Sequence, residues 1–107
     1  MKKINLSITG SLGRMGNQII KTSKLDKSFR IVSLTENKKI NKRIIGITPQ
    51  LNSEIAFRKT DVIIDFTVPK CTLEVLKIAS KLKKRVVIGT TGFNKREENI
   101  IKKYSRK

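Results

Sequence analysis

The chain is 107 residues long and 37% hydrophobic, with 25 Lys and Arg against 8 Asp and Glu, one cysteine and no histidine. That length suits a single domain, 1–107, with a modest core. The lone Cys71 excludes an internal disulfide, and without histidine the chain cannot by itself build an ordinary zinc site or a Ser-His or Cys-His nucleophile.

Ile4 to Thr9 alternates apolar and polar residues and predicts a strand that runs into Gly10. Gly10-Ser11-Leu12-Gly13-Arg14-Met15-Gly16 follows, and Met15, Ile19 and Ile20 put one buried face on a helix reaching Lys24. Phe29 to Thr35, rich in β-branched and aromatic residues, predicts a second strand ending at Glu36. Asn37 to Arg43 is polar and basic and predicts a surface loop. Ile44 to Thr48 predicts a short third strand stopped by Pro49, and Ser53 to Phe57 a helical turn. Val62 to Phe66 is the continuous apolar run of a strand buried on both faces of a parallel sheet. Pro69 suits a helix's first turn, Val75, Ile78, Ala79 and Leu82 form one stripe, and Lys81 to Lys84 place cations at the carbonyl end. Arg85 to Ile88 predicts another strand. Asn94 with Glu97 resembles a capping box, with Ile100, Ile101 and Tyr104 as the apolar face and Lys102, Lys103 and Arg106 at the far end of that helix. This order predicts an α/β fold, a doubly wound parallel sheet with right-handed crossovers.

A formal charge of +17 is what a nucleic-acid binder carries. Here Lys outnumbers Arg 18 to 7, the basic residues are spread along the whole chain, and aromatics to stack bases are only 5%. Lys, Ile and Asn are also the residues of A/T-rich codons, so the excess reads as a solvated surface and nucleic acid as an unfavoured partner. No apolar run approaches the roughly 20 residues of a membrane helix. The basic tip Met1-Lys2-Lys3 lacks the apolar core of a secretory signal, and the chain reads as cytoplasmic.

The glycine turn carries the most chemistry. A pyrophosphate needs backbone N–H groups aimed from a helix N-terminus and a backbone with no Cβ in the way. The spacing Gly10-x-x-Gly13-x-x-Gly16 departs from the usual G-x-G-x-x-G, since Leu12 stands where a second glycine would be, and a ligand-free turn or close helix–strand packing would also use these glycines. Glu36, twenty residues past Gly16 at a strand end, is placed to accept from ribose hydroxyls, or is simply a solvated acid. Lys38 and Lys39 could meet a 2′-phosphate or be loop charges. The segments after two strand ends, Asp65 to Pro69 and Gly89 to Phe93, would line the same crevice. Thr67 and Thr91 serve there either as ligand contacts or as turn and cap hydroxyls. Asp65, on an apolar strand without a visible partner base, reads as a satisfied structural acid.

Gly10 to Gly16, then Asp65-Phe66-Thr67-Val68-Pro69, then Val87-Ile88-Gly89-Thr90-Thr91-Gly92-Phe93 together resemble the N-terminal domain of the 4-hydroxy-tetrahydrodipicolinate reductase (dihydrodipicolinate reductase) family. The resemblance covers essentially the whole chain. It implies a Rossmann-type doubly wound sheet, with the C-terminal substrate domain missing from this chain. It also implies NADH or NADPH as hydride donor, and reduction of the dihydrodipicolinate synthase product toward diaminopimelate and lysine. By the same resemblance Gly10, Ser11, Leu12, Gly13, Arg14 and Met15 form the pyrophosphate turn and Glu36 is the ribose acid. Phe66 and Thr67 flank the cofactor, and Gly89, Thr90 and Thr91 lie near its nicotinamide end. Asn37 stands where the family often has an arginine for the 2′-phosphate, which leaves the cofactor choice open. The family's paired-histidine and lysine motif and its Ser-Gly-Thr loop lie beyond Lys107, so no catalytic residue is expected here. The small-molecule substrate would be held by that other domain, in a homotetramer. The implied reading is the NAD(P)H-binding part of a reductase, inactive alone; the alternative is a stand-alone NAD(P)-binding regulatory module.

Overall fold

The computed structural model describes residues 3–38 and 41–105. In chain order it has β1 (Ile4–Thr9), α1 (Arg14–Leu25), β2 (Phe29–Glu36), β3 (Gln50–Leu51), α2 (Glu54–Phe57), β4 (Val62–Asp65), α3 (Pro69–Leu82), β5 (Arg85–Ile88) and α4 (Lys95–Ser105). The strands form one parallel sheet in the order β3-β2-β1-β4-β5. This is the Rossmann-type arrangement: the chain builds outward from β1 in one direction, returns, and builds outward in the other. The reversal opens a crevice beyond the carboxyl ends of β1 and β4.

Period-two alternation along β1 divides the core between the two faces of the sheet. Ile8 joins Leu34 of β2 and Ile20 of α1 in one buried cluster, and Ile63 of β4 joins Ala56, Phe57, Val75 and Ala79 in the other. Buried polar residues sit among them in mutually satisfied groups, as buried hydroxyls must. The hydroxyl of Ser7 in β1 bonds those of Ser33 and Thr60, all three fully or almost fully enclosed.

Two expectations are corrected. Ile44 to Thr48 is not a strand of the sheet: Ile44 and Ile47 bond each other at 2.8 and 2.9 Å across a tight antiparallel turn. Ile45 and Gly46 between them have φ of 49° and 79°, as a hairpin turn with two left-handed residues requires. The apolar residues of that run cap the Ile8 cluster instead, and the third strand is the two-residue β3 beyond Pro49. On α1 the buried positions are Gly16, Ile20 and Ser23, while Met15 lies half exposed. The helix is rotated so that Ile20 meets the sheet and Gly16, rather than Met15, faces the turn at Gly10.

Ser53 caps α2, its hydroxyl accepting from the Ala56 amide at 3.1 Å. Asn94 and Glu97 exchange side-chain-to-backbone bonds of 2.8 and 2.9 Å at the start of α4, as their spacing predicts. Among the described residues no helix is long and apolar enough to cross a membrane.

Candidate functional site

The glycine turn joins β1 to α1, and its glycines answer different demands. Gly10 has φ +69°, and a Cβ there would stand 2.7 Å from the Phe66 carbonyl oxygen. A Cβ on Gly16 would lie 2.2 Å from the Gly10 carbonyl oxygen, so only glycine lets α1 seat this closely on the turn. Gly13 is different: its φ is −76°, and the nearest atom to a Cβ would be the Gly10 oxygen at 3.4 Å, an ordinary contact. Nothing inside the chain requires glycine at position 13.

The turn's own amides are largely engaged. Gly10 and Ser11 N–H groups donate to the Thr35 carbonyl at 3.0 and 3.5 Å, and Gly13 N–H to the Gly10 carbonyl at 3.0 Å. Leu12 N–H donates to Glu36 Oε2 at 2.9 Å, so the acid at the end of β2 reaches the turn directly. The amides that remain for an anion belong to Arg14, Met15 and Gly16, in a first helical turn that lacks intrahelical partners, the first bond being Asn17 N–H to the Gly13 carbonyl. That turn has no side-chain cap and no acidic residue. Ser11 is 1% exposed, with its hydroxyl buried beneath the turn and without a partner. The side chains of Leu12, Arg14 and Met15 are exposed beside the turn.

A cleft of about 180 Å³ opens beside the turn and brings together Gly10, Gly13, Glu36, Phe66 and Thr67 from the expected set. Gly89 joins through Phe66, whose ring packs so closely on it that a Cβ would overlap the ring at 1.8 Å. The segment after β5 does not line the cleft as expected: Thr90 is nearly buried behind it, and Thr91 is exposed outside it. Lys38 is exposed on the loop after β2, and Lys39 lies outside the described residues. Asn52 and Cys71 also line the cleft without having been singled out for it. Neither carries a sequence signal: Asn52 follows an edge strand two residues long, and Cys71 lies within a helix's first turn. Burial first, then the charges of Glu74 and Asp65, pushes the Cys71 thiol above its usual range.

Behind the cleft, the fully buried Asp65 at the end of β4 gathers four hydroxyls. Thr9 and Thr67 donate to Oδ1, the latter at 2.8 Å. Thr72 donates to Oδ2, and the Thr90 hydroxyl stands 3.2 Å from the same oxygen. The Thr90 oxygen also accepts the Thr67 N–H at 2.9 Å. A larger hollow of about 820 Å³ runs along β5 between α3 and α4, with apolar walls that include Leu76, Val86 and Ile101 and a rim of Lys81, Lys84 and Arg85. It contains no part of the glycine turn, and we place the candidate site at the smaller cleft.

Residues 4–107 match the sequence family described as "Dihydrodipicolinate reductase, N-terminus". The chain belongs to that family. It is 68% identical over 106 residues to the 4-hydroxy-tetrahydrodipicolinate reductase of Pelagibacter ubique, covering 99% of this chain and 41% of that relative. It is 44% identical over 117 residues to the reductase of Buchnera aphidicola subspecies Acyrthosiphon pisum, covering 99% of this chain and 44% of that one. The chain thus spans about two-fifths of the length of the curated dihydrodipicolinate reductases it matches. Among solved structures, the dipicolinate-bound dihydrodipicolinate reductase of Paenisporosarcina sp. TG-14 superposes with a TM-score of 0.77 at 24% identity, over 96% of this chain and 43% of that chain. A D-galactose-1-dehydrogenase from Rhizobium etli reaches the same TM-score at 18% identity, over 99% of this chain and 35% of that chain. These likenesses are of fold, and they place the dihydrodipicolinate reductase N-terminal domain among Rossmann-type sheets.

Proposed function

We propose that this chain is the NAD(P)H-binding part of a 4-hydroxy-tetrahydrodipicolinate reductase, acting in a cytoplasmic route to diaminopimelate and lysine. The observation that carries the binding reading is Gly13. It sits at an uncapped helix start where no internal contact requires a glycine, so the open space fits an approaching phosphate. The Arg14 and Met15 amides would hold the pyrophosphate, and Glu36 would accept from the adenine ribose hydroxyls. Phe66 and Thr67 would flank the dinucleotide, with the Gly89-Thr90-Thr91 loop near its nicotinamide end. When bound, the reduced nicotinamide supplies the hydride.

Either NADH or NADPH is compatible with this reading. Glu36 favours NADH by repelling a 2′-phosphate, while Lys38 brings positive charge nearby. Acceptor binding and proton supply would come from the remainder of the length that the relatives have and this chain does not span, in a homotetramer. The chain alone is then inactive. Calorimetric titration of the purified chain with NADH and with NADPH tests the reading: saturable binding supports it, and absence of binding to both removes it. A stand-alone NAD(P)-binding regulatory module would bind equally well, and would be told apart by a partner whose affinity changes with cofactor occupancy.

A further inference from the structure

We propose that Asp65 is a positioning residue that locks the segments after β4 and β5 onto the glycine turn, and so sets where the nicotinamide half of a bound dinucleotide lies. The inference rests on the NAD(P)H reading and deepens it.

The carboxyl is fully enclosed, a costly place for such a group unless its acceptor sites are filled. A carboxylate offers about four such sites, and four hydroxyls surround this one. Those hydroxyls come from four places: Thr9 ends β1, Thr67 follows β4, Thr72 lies in the first turns of α3, and Thr90 follows β5. The Asp65 main chain adds a fifth tie, its carbonyl accepting the Gly89 N–H at 2.7 Å. The Thr72 and Thr90 hydroxyls also stand 2.8 Å apart, and the Thr90 oxygen accepts the Thr67 amide, which joins the two segments to each other. The segment after β4 also presses on the glycine turn, since the Phe66 carbonyl and the Thr67 methyl are what a Cβ on Gly10 would meet, at 2.7 and 3.0 Å. An acid needed only to fill the core would not have to converge the ends of three strands and a helix start. Neither Asp65 nor Thr90 lines the cleft, so their effect on a ligand passes through Thr67, which does and whose amide Thr90 holds.

The test uses two variants and two ligands. Asp65→Asn keeps the shape but turns one acceptor oxygen into a donor, and Thr72→Val deletes one hydroxyl from a residue that does not line the cleft. ADP-ribose reports on the turn and Glu36, whereas NADH also reports on the nicotinamide end. Both variants should weaken NADH about fivefold to tenfold, the size of one or two lost hydrogen bonds, while ADP-ribose stays within about twofold of the parent chain. Proportional weakening of both ligands would mean a merely structural acid, and unchanged affinity for both would mean no positioning role; either result overturns the proposal. Should Asp65→Asn fail to fold, Thr72→Val decides alone. If the parent chain binds neither ligand, the NAD(P)H reading fails first, and the two failures are distinguishable.

Discussion

At the scale of single residues, three glycines at equal spacing do unequal work. Gly16→Ala drives a Cβ into the Gly10 carbonyl, an obstacle of backbone that cannot swing aside, and should lower stability by about 1–3 kcal/mol in a urea titration. Gly13→Val meets no such obstacle at φ −76° and should leave the circular dichroism spectrum largely intact while abolishing NADH binding. Unchanged NADH affinity in Gly13→Val would remove the turn from the site. The cofactor question belongs to this scale too. A 2′-phosphate near Lys38 is an exposed, screenable contact, whereas hydrogen bonds from ribose hydroxyls to Glu36 carry little salt dependence. NADPH affinity should therefore fall more steeply than NADH affinity as salt is raised. Equal slopes for the two cofactors would take Lys38 out of the argument.

At the scale of elements, signals held within a short stretch were legible and signals depending on distant packing were not. The Ile4 to Thr9 alternation predicts the bounds of β1 to the residue, although its polar positions Ser7 and Thr9 are buried as deeply as Leu6 and Ile8. Asn94 and Glu97 predict their reciprocal cap because both partners lie within one helical turn. Asn94→Ala should accordingly cost about 1 kcal/mol, read as earlier exchange of the α4 amides, with β1 amides unaffected. Ile44 to Thr48 misleads because its apolar residues satisfy two structures equally, and only the Gly46 turn and the docking of Ile44 and Ile47 on the Ile8 cluster decide between them. Met15 misleads because the buried stripe of α1 is fixed by the need to bring Gly16 against Gly10. In the site, spacing and context bring Gly10, Gly13, Glu36, Phe66 and Thr67 to one cleft, as the structure has them, while Gly89, Thr90 and Thr91 lie outside its lining. The fourfold gathering of hydroxyls at Asp65 was not legible, since Thr9, Thr72 and Thr90 share no local pattern and meet only once the sheet has formed.

At the scale of the whole molecule, among the described residues β5 pairs with β4 on one side only. It carries Val87, 55% exposed, along that open edge. An apolar strand with unpaired backbone groups invites pairing with another copy. The apparent mass of the purified chain from light scattering should rise with concentration, and Val87→Lys should reduce that rise; equal masses in the two would place the association elsewhere. The same sample should show no oxidation of NADH above the no-protein control when freshly generated synthase product is supplied. On the proposed reading the acceptor is held by length this chain does not span, and positioning an acceptor against the nicotinamide contributes on the order of 7–11 kcal/mol in favourable intramolecular cases.

The central place of β1 also has a bearing on how the chain assembles in time. Leu6 meets Ile31 on one side and Val62 on the other, so its second pairing closes roughly twice as much chain as its first. Each doubling of a closed loop costs about 0.6 kcal/mol more in entropy, and distant pairings form slowly. On a ribosome that delivers the N-terminal residues first, β1, α1 and β2 can dock while the other edge of β1 is still bare. Pulse-labelled exchange should then protect the β1 amides bonded to β2 before those bonded to β4. Until Val62 to Asp65 emerges, the strand that will become the middle of the sheet is one of its edges.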